Sequence, residues 1–442
     1  MICRLAAMTL LSLALALNES RAAGPIAPPL EWLQQVGTSG YDESFDITSD
    51  DFGNVYLAGR TSGSWGGANS GSQDGFVSKY DGMGALQWVR QLDVGSSALW
   101  CNGISADGAG NVYIGGHTRG DLGGQLGDWD AFVGKYDSSG NLLWTRQLGT
   151  SGVDFGLGVS ADLVGNVYIT GYTLGALGGP NAGERDAYLA KYDAGGALQW
   201  TRQLGTSAND EGSSIATDGS GDVYITGHTA GSLAGPNAGQ HDAFVSKFTS
   251  TGTSVWTRQF GTNRGDESYG VATDGSGSVY LTGFTGGSLA APSGGDIDMF
   301  LRKYDAFGTP VWTQQLGTPS SERGNGVAVS EFGSVFVTGA TRGSLSVPHA
   351  GGDDIFVIEY TDAGHAIRTR QLGTSADDVS NGVTVDGSGA VFITGYTQGQ
   401  LVTPNPGGGD VFIAKFANIP EPSTSALIIV MLSLRTLARR RT

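Results

Sequence analysis

Between residues 31 and 417 the chain is a succession of short runs in which apolar and polar residues alternate. The stretch 212–260 is representative. It contains GSSIAT (212–217), DVYITGHT (222–229), DAFVSKF (242–248) and SVWTRQF (254–260). In DAFVSKF, Phe244, Ser246 and Phe248 fall on one side and Val245 and Lys247 on the other, the period of a strand. The runs are rich in β-branched and aromatic residues and are bounded by Gly, Asp or Asn, as strands are. The DGSG link between the first two predicts a tight hairpin turn. No run of useful length carries a helical period. The pattern therefore predicts strands only, in groups of four.

The groups repeat. WTRQLGTS stands at 144–151 and again at 200–207, with variants beginning at Trp256, Trp312 and Arg368. Trp32, Trp88, Trp144, Trp200, Trp256 and Trp312 are each 56 positions apart, and Arg368 takes the seventh place. An aspartate column has the same period: Asp74, Asp130, Asp186, Asp242, Asp298, Asp354 and Asp410. So does an aromatic column from Tyr80 to Phe416. A four-strand unit repeated at this spacing predicts an all-β, seven-bladed β-propeller spanning 31–417. The chain opens on a Trp strand, EWLQQVG (31–37), and its last run, DVFIAKF (410–416), lacks one. The N-terminal strand is therefore expected to complete the last blade, leaving no open edge.

Lines such as GVATDGSGSVYLTGFT (270–285) and GVTVDGSGAVFITGYT (382–397) resemble the SBBP family, named for a seven-bladed propeller repeat. The resemblance implies the fold and no particular activity.

Charge narrows the partners. With 42 acidic against 25 basic residues the net charge is −17, which opposes nucleic-acid binding and suits cations or basic surfaces. Cys3 falls in the leader described next, so Cys101 has no partner for an internal disulfide.

The first 22 residues read as a secretory signal. Arg4 is followed by an apolar segment, Leu5 to Leu17, and by small residues ending at Ala22. Residues 419–442 resemble a PEP-CTERM sorting tail. Pro420-Glu421-Pro422 precedes an apolar stretch and a basic tip, Arg439, Arg440 and Arg441. The resemblance implies processing by an exosortase and at least a transient stay in the membrane of a Gram-negative-type bacterium. The apolar stretch, 424–438, is shorter than a comfortable span and contains Arg435. The exported chain is expected at the cell surface, outer envelope or extracellular matrix.

The candidate chemistry is sparse. A second acidic column, Asp42, Asp154, Asp210, Asp266, Glu322 and Asp378, precedes the first strand of each group, with blade 2 lacking it. These carboxylates either lock loops by accepting N–H bonds or, as the sharper alternative, hold Ca2+ through oxygen ligands. No other cofactor is expected. His117 and His228 share one repeat position, otherwise filled by Arg60, Tyr172, Phe284, Ala340 and Tyr396, and read as a tolerant strand end. No His pair has metal spacing, and no nucleophile elbow or Cys–His set is present, so no catalytic residue is assigned. Gly-rich connections between second and third strands predict an exposed rim. Trp65 and Trp129 there either stack on sugar faces or pack down on the rim. The function expected is a non-catalytic surface scaffold that binds extracellular polysaccharide or another surface protein. The alternatives are a propeller enzyme acting on a glycan and a calcium-stabilised structural module.

Overall fold

The computed structural model describes residues 29–107, 109–124, 126–402 and 407–417. The leader and the sorting-tail motif lie outside the described residues. Within them, strands β1–β28 form seven four-stranded antiparallel sheets. Blade 1 consists of β2 (Asp42–Ser49), β3 (Val55–Thr61), β4 (Asp74–Tyr80) and β5 (Leu86–Leu92), paired in that order. Blades 2 to 6 repeat it. In blade 7 the order is β1 (Leu30–Val36), β28 (Asp410–Phe416), β27 (Val391–Thr397) and β26 (Asp378–Val385). The N-terminal strand thus closes the ring, with Trp32 opposite Lys415 and Val36 opposite Val411. The protein is a seven-bladed propeller, as the pattern predicts.

The period-two alternation has a direct cause. The third strand of each blade is buried on both faces. Phe244 and Phe248 pack with Tyr168 and Leu189 of the preceding blade. Val245 packs with Val279 and Phe300 of the following blade. The core is therefore seven slabs between sheets, each drawing on two blades.

The repeated octapeptide is the fastener between blades. The Trp88 indole N–H donates to the Ser138 carbonyl of the next blade at 3.3 Å, and Trp144 does the same to Ala194 at 3.3 Å. Arg90 Nε donates to Gly140 O at 2.8 Å, and its guanidinium lies over the Trp88 ring. Gln147 Nε2 donates to Asp130 Oδ2 at 2.8 Å, while its carbonyl receives the loop N–H of Leu122. The Thr150 N–H donates to Asp154 Oδ2 at 2.6 Å, tying the connection to the next first strand. Gly140, at φ 79°, sits under Trp88, where an added Cβ would lie 2.8 Å from the ring. The DGSG-type link is a β-turn: Asp218 Oδ1 accepts from Ser220 N and Asp222 N, and Oδ2 from the Tyr224 hydroxyl.

The two exceptions in blade 6 explain each other. Where other blades set Lys opposite Trp, Glu359 stands opposite Arg368, and the two form an ion pair at 2.7 Å. In blade 2 the missing acidic residue is replaced by Leu99, fully buried in the slab with Cys101.

Candidate functional site: the mouth of the central channel

The first strands of successive blades surround a central channel of about 620 Å3. Each first strand is broken by a bulge early in its run, as between Ser44 and Asp46 and between Ser380 and Gly382. The bulge turns one residue per blade toward the channel: Phe45, Asn102, Leu157, Ser213, Tyr269, Asn325 and Asn381. Three of the seven are Asn and the other four all differ, although the frame around them is repeated.

Asp46 is the channel's exceptional residue. Its place is glycine in five of the other blades and Ser214 in blade 4. Asp46 Oδ2 accepts the Ile104 N–H of the next blade at 3.0 Å, and Oδ1 accepts that of Ile47 at 2.8 Å. Burial pushes its pKa up to about 7, outweighing the lowering by those two N–H donors.

A second variable ring lies on the same face, at the junctions. Three positions meet at each: the penultimate residue of the second strand, the residue just before the third strand, and the second residue of the next blade's first strand. The trio is Arg60, Gln73 and Trp100 at one junction and His117, Trp129 and Phe155 at the next. It then becomes Tyr172, Arg185 and Glu211, and after that His228, His241 and Glu267. The frame is constant and the chemistry changes from junction to junction, as expected of a face that makes contacts.

Across blades 1 to 3 this face carries a continuous aromatic sector. Phe45 meets Trp100 at 6.3 Å between ring centroids, and Trp100 meets Trp129 at 6.0 Å. Phe155 lies 5.4 Å from Trp129 and stacks on Tyr172 at 5.0 Å. His117 is enclosed among them, and burial lowers its pKa to about 3, so the ring is neutral at pH 7. Arg60 lies over Trp100 at 4.3 Å, Arg119 over Trp129 at 4.7 Å and Arg185 over Tyr172 at 4.5 Å. Phe45, Trp100, Trp129 and Phe155 remain part-exposed.

The residues singled out from the sequence fall in three settings. Trp129 is in the aromatic sector. Trp65 is in the loop of blade 1, where its ring rests on buried Phe76 at 4.6 Å. The first-strand carboxylates Asp42, Asp154, Asp210, Asp266 and Asp378 are fully buried at the junctions. One oxygen of each accepts both the N–H and the hydroxyl of a Thr four residues earlier, as with Thr38 and Asp42 at 2.6 and 2.8 Å. They lock the loops between blades. Burial holds Asp210, Asp266 and Asp378 above the ordinary carboxylate range, with smaller upward pushes from Asp186, Asp242 and Asp354 opposite them.

No His pair has metal spacing in the sequence, yet the fold brings His228 and His241 together, ring centroids 5.1 Å apart, with Glu267 of the next blade beside both. The aromatic sector is likewise invisible in the sequence, because its members come from three blades. The variation at repeat positions 60, 73 and 100 was the available signal.

A curated relative, the regulatory protein FlaEY of Caulobacter vibrioides, is 24% identical over 421 residues, 90% of this chain and 39% of its own length. An uncharacterized WD repeat-containing protein, L264, of Acanthamoeba polyphaga mimivirus is 22% identical over 363 residues, 60% of this chain and 26% of its own length. The chain thus spans well under half of either relative. Among solved structures, the WD40 domain of Neurospora crassa Pan2 aligns with a TM-score of 0.49 at 10% identity, covering 88% of this chain and 97% of that one. The beta-propeller repeat model SBBP matches seven times, at 31–64, 87–123, 143–179, 199–234, 255–289, 311–345 and 367–401. Each match runs from an outermost strand through the first two strands of the next blade, so the sequence unit straddles the junction that the octapeptide fastens. The chain belongs to the SBBP beta-propeller repeat family.

Proposed function

We propose that this protein is an exported interaction scaffold that binds extracellular polysaccharide across the mouth of its channel. The aromatic sector of blades 1 to 3 carries the reading. Flat rings held rigidly by their neighbours offer apolar faces to sugar rings at little entropic cost, and the bound arginines offer donors at the edges. The secretory leader and the PEP-CTERM-like tail, read from the sequence, support delivery to the cell surface and processing by an exosortase. The net charge of −17 argues against nucleic acid as the ligand.

The test is incubation of the purified protein with the host's own extracellular polysaccharide, following co-sedimentation and polymer length together. Co-sedimentation with unchanged polymer length is expected. Shortening of the polymer would replace the scaffold with a glycan-cleaving enzyme. Absence of co-sedimentation would remove polysaccharide as the ligand.

A further inference from the structure

We propose that His228, His241 and Glu267 form a binding site for a divalent transition-metal ion, with Zn2+ the best match to the donors. His228 is the penultimate residue of the second strand of blade 4. His241 precedes the third strand of that blade and bridges to Gly265 of the following connection. Glu267 is the second residue of the first strand of blade 5. The junction therefore brings together three donors that are 13 and 26 residues apart in the chain.

The geometry is close to what the ion requires. His241 Nδ1 lies 3.3 Å from one oxygen of Glu267, and His228 Nδ1 lies 3.8 Å from the other. The ligand atoms all fall within 4.8 Å of one another. Tetrahedral zinc with bonds of roughly 2.0–2.1 Å places its donors roughly 3.3 Å apart, so closure asks for small side-chain rotations.

Independent observations point the same way. The Nδ1 of His228 is buried and has no hydrogen-bond partner, an arrangement that costs free energy unless something binds there. Glu267 is also held in place: the Tyr269 hydroxyl donates to its Oε2 at 2.9 Å, as outer-shell groups hold a ligating carboxylate. Among the described residues this is the one group of three such side chains with metal-binding proximity. The other junctions fill the same positions with sets unsuited to a metal, such as Arg60, Gln73 and Trp100.

Two imidazoles and one carboxylate select a borderline cation over Ca2+ or Mg2+, which prefer all-oxygen sets. Three protein donors leave a fourth position for water or an oxygen of a bound ligand. The site lies on the mouth face, at the blade 4–5 junction, outside the aromatic sector of blades 1 to 3.

The experiment uses untagged full-length protein stripped by chelation and titrated with Zn2+ alone against a chromophoric competitor. One strong site is expected. His241→Ala and Glu267→Gln should each weaken it by at least about tenfold. His349→Ala and His365→Ala, at remote positions, should leave it unchanged. Co2+ in place of Zn2+ should give the intense visible bands of a tetrahedral site in the wild type and lose them in Glu267→Gln. His241 and Glu267 are not buried hydrophobic-core residues, and circular dichroism of each variant checks its fold. Absence of a strong site in folded wild-type protein, or unchanged affinity in folded His241→Ala and Glu267→Gln, overturns the proposal. Neither result depends on polysaccharide binding.

Discussion

Gln35→Ala probes the closure of the ring. Gln35 Nε2 donates to buried Asp410 Oδ2 at 2.8 Å and to Gly399 O at 3.0 Å, and its carbonyl accepts from Leu401 N at 3.0 Å. These contacts join β1 to a blade more than 360 residues away in the chain. A hydrogen bond to a charged group contributes about 1.5–3 kcal/mol. The Gly399 and Leu401 groups sit in a part-exposed loop where water can replace the amide, so about 0.5 kcal/mol each is appropriate. The expected loss is about 2.5–4 kcal/mol. With an unfolding entropy of about 2.1 cal/mol/K per residue over the propeller, that is a fall in Tm of roughly 3–5 °C. Urea unfolding followed by tryptophan fluorescence measures it. Gln147→Ala is the matched control, since Gln147 makes the equivalent contacts with Asp130, Gly120 and Leu122 inside the ring. Both variants should lose similar stability. Only Gln35→Ala should speed hydrogen exchange along β1 and β28, because only there does the amide hold a strand supplied from the other end of the chain. A loss under about 0.5 kcal/mol, or equal exchange in the two variants, would show that Gln35 does not hold the ring closed.

Three further expectations follow from single contacts. Glu359→Lys sets two cations opposite each other at Arg368 and should cost about 1–3 kcal/mol, whereas the double variant Glu359→Lys with Arg368→Trp rebuilds the pairing of the other blades and should recover most of it; an unrecovered double variant in urea unfolding would contradict the exchange. Asp46, raised to about 7 from an ordinary 3.8, retains its proton in the folded state where the unfolded chain has lost it. Its contribution is therefore greatest near pH 4 and is lost as pH rises toward 7 and beyond, so Asp46→Asn should gain on the wild type by up to about 4 kcal/mol between pH 4 and pH 8; a difference constant with pH in paired melts would sink this. Because one oxygen of Asp42, Asp154, Asp210, Asp266 and Asp378 already accepts two hydrogen bonds from a Thr, added Ca2+ is expected to leave Tm unmoved; a rise of several degrees would assign these carboxylates to the cation instead.

The fold was legible because a propeller writes its architecture into a period. The Trp column marks outer strands, and a Trp strand present at the start and missing at the end foretells β1 beside β28. The role of the octapeptide was only partly legible. Packing of Trp between sheets could be expected, but not that Trp88 and Arg90 reach carbonyl groups of the next blade's turn, because those partners lie 50 residues on. Glu359 and Arg368 look like two unrelated exceptions until register sets them opposite each other. The face was least legible. His228 reads as a tolerant strand end because repeat alignment compares a residue with its counterparts in other blades. Its proposed chemistry depends on His241, 13 residues on in the same blade, and on Glu267 of the next blade, neither of which shares its repeat position.

Polysaccharide binding at the mouth face can be checked by mapping retention onto the two faces of the disc. Trp100→Ala with Trp129→Ala removes the centre of the aromatic sector. Phe52→Ser with Phe332→Ser alters exposed turn tips on the opposite face. Each folded variant is titrated with salt on washed extracellular matrix. If the sugar seats on these rings, the Trp pair releases the protein at low salt while the Phe pair holds as the wild type does. Retention unaffected by the Trp pair, or lost only with the Phe pair, would contradict that seating.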